Sequence, residues 1–264
     1  MSQSYPGSFL DFVAGLYTAE SFENAFKLFE EHVQVLGFEG VLYTYIPRIM
    51  LDSNLPVTPV FAVSNDYCPA YLDHYTEARF DQLDPMIRAV SDGVMTPIDW
   101  WGDICADYIS RDPASRSVLA TAEHYGIRNG VTLPLMSGAR GIAGASFISY
   151  EQQGFDVLLE ERVRQLKLSA RIFHSMVVSD SGHAGHFAKP LLQSLSETEK
   201  QFVFGLARGQ TVKELSVDLR RSTKYLEQVM ISVRKKLSDN SGQGNRIINR
   251  NQLLYYAGLL NILE

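Results

Sequence analysis

The chain has 264 residues, enough for two modest domains that each enclose a core. Hydrophobic residues make up 45% and charged residues 20%, a balance that excludes a disordered chain. No apolar run approaches the roughly 18 residues of a membrane span. The net charge of −6 conceals an asymmetry. From Pro190 onward 11 Lys and Arg stand against 7 Asp and Glu, while the remainder holds 13 basic and 23 acidic residues. An acidic body followed by a mildly basic end is the pattern of a sensor joined to a polyanion-binding module. The opening residues MSQSYPGSFLDF carry no basic segment followed by an apolar run, and Cys68 and Cys105 fit isolated thiols, which together predict a cytoplasmic protein.

In chain order, Phe22, Phe26, Phe29, Val33 and Leu36 recur at three and four, an amphipathic helix. GVLYTYI (40–46) and VTPVFAVS (57–64) read as strands. Pro69 can start a short helix on which Tyr71 and Tyr75, four apart, share one face. In FDQLDPMIRAV (80–90), Asp84 before Pro85 is a helix start; the same carboxylate, at the edge of an apolar patch, can also face a pocket and accept a bond from a ligand. The two roles are compatible. GVTLPLM (130–136) and GIAGASFISY (141–150) read as strands joined by the hairpin-like turn SGARG. A long helix over 155–177 carries Val163, Leu166, Ala170 and Phe173 on one stripe. Helices around a largely antiparallel sheet make an α/β sandwich, able to hold a small molecule between a sheet face and its helices.

SDSGHAGHFAKP opens a segment over 179–192 whose Ser, Gly and Pro content predicts a linker between a domain at 1–178 and a second at 193–264. His183 and His186 in it have no partner at a ligand-like spacing, so no metal is expected. Beyond it the pattern is purely helical. Ser196 and Glu199 form a capping box for a helix to about Ala207, ended by Gly209. VKELSVDL is a second short helix, and TKYLEQVMISVRKKL a third, with Leu226, Met230, Val233 and Leu237 on one face. Two short helices joined at a glycine, then a longer one, form a helix-turn-helix arrangement; a plain helical bundle used for dimer contacts is the alternative.

Several runs now coincide with one family. DYCPAYLDHYTEARFDQLDPMIRAV, TPIDW, YGIRNGVTLPL and ARGIAGASF in the first half, then LSETEKQFVFGLARGQTVKEL and a terminal KKL in the second, make the chain resemble the LuxR family of quorum-sensing transcription regulators over nearly its whole length. The resemblance implies an autoinducer-binding α/β sandwich followed by a four-helix, helix-turn-helix DNA-binding domain. It implies an N-acyl-homoserine lactone or similar amphiphile as ligand, with Asp84 accepting the amide N–H, Tyr67 donating to the acyl carbonyl, Trp100 packing over the lactone ring, and Thr132 with Gly130 on the strand beneath. Tyr71 and Tyr75 complete the head-group end. Tyr71 stands where most relatives have tryptophan, so the head group is held differently or is not a lactone. Phe147 is placed where several relatives carry Ser or Thr against the polar end of the acyl chain, which predicts a ligand without strict 3-oxo preference.

The resemblance implies DNA contacts from the third helix and the residues just before it. Thr211, Arg220, Arg221, Lys224, Tyr225, Gln228, Arg234 and Lys235 are the candidate contacts. The stretch YLEQV departs from the family pattern: Tyr225 replaces a small residue, Glu227 sits at a commonly basic position, and Val229 takes a place often held by His. SDNSGQGNR (238–246) lengthens the connection to a last helix, NQLLYYAGLL. Two functions are therefore expected. The first is a dimeric, ligand-responsive regulator that binds DNA and meets RNA polymerase. The second is an antiactivator that binds ligand, or heterodimerises with a related regulator, without reading DNA. No nucleophile elbow, phosphate loop, dinucleotide fingerprint or metal spacing is present, so neither an enzyme nor a cofactor is expected.

Overall fold

The structure is a computed structural model that describes residues 9–52, 58–151, 153–238 and 247–259. Two helices, α1 (Phe9–Thr18) and α2 (Phe22–Val35), precede β1 (Gly40–Pro47), the short α3 (Arg48–Asp52) and β2 (Phe61–Val63). Then come α4 (Pro69–Glu77), α5 (Pro85–Ser91), β3 (Ile98–Asp99), α6 (Asp103–Arg111), α7 (Arg116–His124), β4 (Asn129–Gly138), β5 (Gly141–Ser149) and the 25-residue α8 (Phe155–Ser179). The helices α9 (Ser181–Gln193), α10 (Glu197–Ala207), α11 (Val212–Asp218), α12 (Thr223–Lys236) and α13 (Arg250–Leu259) complete the chain. Packing divides it into two units. One runs to Tyr45 and continues over Phe61–Gly138 and Ile142–Ser179; the other gathers Ile46–Val60, Ala139–Gly141 and everything from Asp180. Among the described residues no helix is long and apolar enough to cross a membrane.

The first unit is built on a sheet in the order β2-β1-β5-β4-β3. Its outer pairs are antiparallel, Tyr43 facing Ala62 and Ile98 facing Thr132. One face packs on α2 and α8: the Phe29 and Phe173 rings stack 4.6 Å apart, and Tyr43 meets Phe173 edge-on at 5.0 Å. The expected strand at 57–64 shortens to Phe61–Val63, and residue 57 lies outside the described residues.

Two buried histidines fasten α8. The His174 Nδ1 lies 2.8 Å from the Tyr43 hydroxyl. Ser169 donates its hydroxyl to the Gln165 carbonyl, so its oxygen accepts from His32 Nε2, 2.8 Å away. Burial lowers the pKa of both rings, that of His174 to about 4. The neutral ring is therefore the folded form. Stability from His174 is complete above the unfolded value near 6.5, drains as pH falls from there, and is gone by about pH 4. Denaturant titrations at pH 7 and pH 4 should differ by about 3 kcal/mol more in the wild type than in His174→Gln.

The segment expected to be an irregular linker is a helix. Asp180 caps α9 by accepting from the His183 amide at 2.9 Å, and Ala184, Phe187, Ala188 and Leu191 are buried. Their spacing of three, four and seven is helical, a period hidden among Ser and Gly residues. The second unit has the capping box expected at Ser196–Glu199 and a second, reciprocal one at Thr211–Glu214 that was not expected. Gly209, at φ +85°, turns the chain between α10 and α11. Gly205 lets these helices touch: a Cβ there would lie 2.1 Å from Leu215 Cδ2. The residues 239–246 of the lengthened connection lie outside the described residues.

Candidate functional site

The second face of the sheet carries small side chains. The Trp100 indole lies on Gly130, where an added Cβ would fall 2.4 Å from its Cδ2, so only glycine admits the ring. The indole N–H donates to Thr132 Oγ1 at 2.9 Å, and Thr132 Oγ1 lies 2.8 Å from Ser146 Oγ. At the other end, a Cβ on Gly40 would meet Ile148 Cγ1 at 2.9 Å and the Tyr67 ring at 3.0 Å. Gly40, Gly130, Thr132, Ser146 and Ile148 thus share a face covered by Tyr67 and Trp100.

Asp84 sits beside this face and is 6% exposed. It caps α5, its Oδ1 accepting from the amides of Met86 at 2.7 Å and Ile87 at 3.2 Å. Its Oδ2 accepts from the Tyr75 hydroxyl at 2.7 Å. Burial raises its pKa against the opposing pull of Tyr75, the two amides and Arg88. α4 brings the tyrosines in. Tyr71 and Tyr75 point inward, their rings edge-to-face at 6.1 Å, and Tyr71 meets Tyr125 at the same distance. Tyr67 is 2% exposed, and its hydroxyl has no hydrogen-bond partner among the described residues. Burial first, then the neighbouring Tyr71, Tyr150 and Asp84, keeps it protonated. A buried hydroxyl left unpaired costs about 1–3 kcal/mol.

The structure therefore gathers Tyr67, Tyr71, Tyr75, Asp84, Trp100 and Thr132 around one region. Phe147 is not among them. Its ring packs on the opposite face, 6.2 Å from Phe29 and 5.9 Å from Phe38. Successive strand residues point to opposite faces, so the neighbour Ser146 takes the inward place. The expectation of a chain without 3-oxo preference rested on Phe147 and falls with it: a hydroxyl is present. Ser146 and Tyr125 escaped the sequence reading. Alternation along β5 puts Ser146 and Phe147 on opposite faces without saying which face is inward, and Tyr125 had no signal.

In the second unit α12 buries Leu226, Val229, Val233 and Leu237. Val229, at the place often held by His in the family, is thus a core residue. Lys224, Gln228, Ile231 and Lys235 form the exposed stripe, with Tyr225 and Glu227 beside it. Arg220 and Arg221 are exposed, and the Arg221 guanidinium lies over the Tyr225 ring at 5.6 Å. Two candidates fit a DNA face poorly. Arg234 is half-buried and its Nε donates to the Ile248 carbonyl at 2.5 Å, holding the segment before α13. Thr211 is the cap of α11, its hydroxyl engaged by Glu214.

A small-residue sheet face closed by tyrosines, tryptophan and a buried acid, followed by a helix-turn-helix unit, defines a small-molecule sensor attached to a DNA-binding type of fold. Residues 21–177 match the family model of the autoinducer binding domain, and the chain belongs to that family, the sensor family of LuxR-type regulators. The crystal structure of Escherichia coli SdiA superposes with a TM-score of 0.56 at 19% identity, covering 97% of this chain and 100% of SdiA. SdiA in complex with octanoyl-rac-glycerol gives 0.55 at 19% identity over 96% of this chain and 94% of that one. CepR2 of Burkholderia cenocepacia, described as an N-acylhomoserine-lactone-dependent LuxR-family factor, gives 0.50 at 15% identity over 63% and 91%. These likenesses show the fold. The y4qH protein of Sinorhizobium fredii, named as an HTH-type transcriptional regulator, is 26% identical over 176 residues, 67% of this chain and 51% of that protein. The chain thus spans about half the length of the curated relative it matches. The relatives with a functional description are transcription regulators rather than enzymes.

Proposed function

We propose that this chain is a cytoplasmic, ligand-responsive transcription regulator. It binds an acylated small amphiphile in the sensor unit and DNA, as a dimer, through the helix-turn-helix unit. The observation that carries the reading is the unpaired Tyr67 hydroxyl, buried near a carboxylate with lone pairs to spare. Together they ask for a carbonyl to accept from Tyr67 and an N–H or O–H to donate to Asp84. An N-acyl-homoserine lactone supplies both; so does a monoacylglycerol, the class of ligand held by SdiA in the structure of its complex. Ser146 can meet an oxygen on the acyl chain, which favours a substituted chain over a bare one.

Tyr67→Phe tests this. Removing an unsatisfied buried hydroxyl should stabilise the unliganded protein by about 1 kcal/mol or more. The same change should weaken calorimetric binding of N-octanoyl, N-3-oxo-octanoyl homoserine lactone or octanoylglycerol about ten-fold. Unchanged affinity for all three would remove Tyr67 from the ligand site. A second reading, an antiactivator, is favoured by one observation: Glu227 stands exposed on α12, where a phosphate would repel it.

A further inference from the structure

We propose that α12 reads base edges through Glu227, Gln228 and Ile231, selecting amino-bearing bases and a thymine methyl, while the surrounding cations hold only phosphates. The inference rests on the DNA-binding reading above and names what that surface recognises.

α12 is anchored by Leu226, Val229, Val233 and Leu237, so the opposite side is fixed relative to the unit. Glu227 and Ile231 are four apart, Gln228 and Ile231 three apart, and all three are exposed, which makes them neighbours on one outward patch. Cations flank it, Lys224 being three and four residues before Glu227 and Gln228 and Lys235 four after Ile231. Arg220, Arg221 and Lys224 lie at the N-terminal end and Lys235 at the other. Lys224 and Lys235 are eleven residues apart along the helix, or about 16 Å at 1.5 Å per residue. A recognition helix lies along the major groove, so cations at the two ends of α12 meet phosphates bordering it while the patch between them faces the base edges. The Tyr225 ring under Arg221 holds that guanidinium at the rim.

The chemistry of the patch then limits its partners. A carboxylate gains nothing from phosphate, but it accepts from a cytosine N4 amino group. A Gln amide pairs two-fold with adenine N6 and N7. Ile231 is 41% exposed and apolar, and in the groove its match is the thymine C5 methyl. Guanine, whose O6 and N7 call for Arg or Lys, finds no such partner among Glu227, Gln228 and Ile231 themselves. The same Glu227 that counts against phosphate contact thereby becomes a specificity determinant.

Selection from a duplex pool with a randomised two-fold core, using the full chain with N-octanoyl homoserine lactone at a stated salt concentration, tests this. The wild type should enrich sites in which cytosine, adenine and thymine occupy the contacted positions. Ile231→Ala should relax the thymine position alone, and Glu227→Gln the cytosine position alone, each by about ten-fold in discrimination. Lys235→Ala should weaken all sites alike and reduce the salt slope. A wild type that enriches sites, with variants that lose affinity uniformly and keep the same preference, overturns the base assignment and leaves DNA binding standing. A wild type that enriches no sequence overturns the DNA-binding reading itself, and the base assignment with it.

Discussion

Asp84→Ala is expected to abolish ligand binding and to destabilise the sensor unit by about 3 kcal/mol, the cap contributing about 1 and the abandoned Tyr75 hydroxyl about 2. The carboxylate has two structural tasks, accepting from the first amides of α5 and from Tyr75, and one remaining capacity for a ligand. Asp84→Asn separates them. An Asn oxygen still caps the helix, so most stability should survive, while the loss of a charge-assisted acceptor should weaken ligand binding at least ten-fold. Calorimetric titration with thermal unfolding of both variants checks this; an Asn variant that binds as the wild type does would show that the acid serves the helix only. The pKa of Asp84 adds a sign. It is raised in the fold by burial, so the unliganded protein is favoured at low pH and loses that advantage as pH climbs through the folded value. A ligand that donates to the ionised oxygen reverses this, so its occupancy should restore stability most at neutral pH.

Glu199→Ala is the counterpart in the second unit, with an expected loss of about 3 kcal/mol. Its side chain is buried, and burial alone would raise its pKa; bonds from Lys236, from the Ser196 amide and from Ser232, each 2.7 Å long, bring it down to about 2. One carboxylate thus closes the start of α10 and ties it to α12. Because the folded pKa lies below the unfolded value near 4.5, this stability is complete above pH 4.5 and is lost as pH falls toward 2. Urea titrations of wild type, Glu199→Ala and Glu199→Gln should rank in that way, the Gln variant intermediate because it keeps the cap oxygen. A loss under about 0.5 kcal/mol in the Ala variant would assign the tie between α10 and α12 to apolar packing instead.

Much of this was legible in the chain. Capping is a local matter, decided by residues two or three apart, so Asp84 and Ser196 could be read as helix starts and stand as such, while Thr211, expected at DNA, proves to be a cap as well. The helices over Phe22–Val35 and Phe155–Ser179 and the hairpin β4–β5 follow from period and turn chemistry. Gly130 was placed beneath Trp100 by family resemblance alone; the reason it must be glycine, the indole lying where its Cβ would be, appears only in the structure.

What only the tertiary structure decided was direction. A strand shows which residues alternate but not which set faces which helices, and one step along β5 exchanges Phe147 for Ser146. A helix shows a stripe but not its boundary, so Arg234 passed for a surface residue until the Ile248 carbonyl claimed it. A polar, glycine-bearing segment looks like a linker until its few apolar residues find something to bury against, as Phe187 and Leu191 do in α9. Local hydrogen bonding is written in neighbouring residues, whereas facing is set by contacts between elements far apart in the chain.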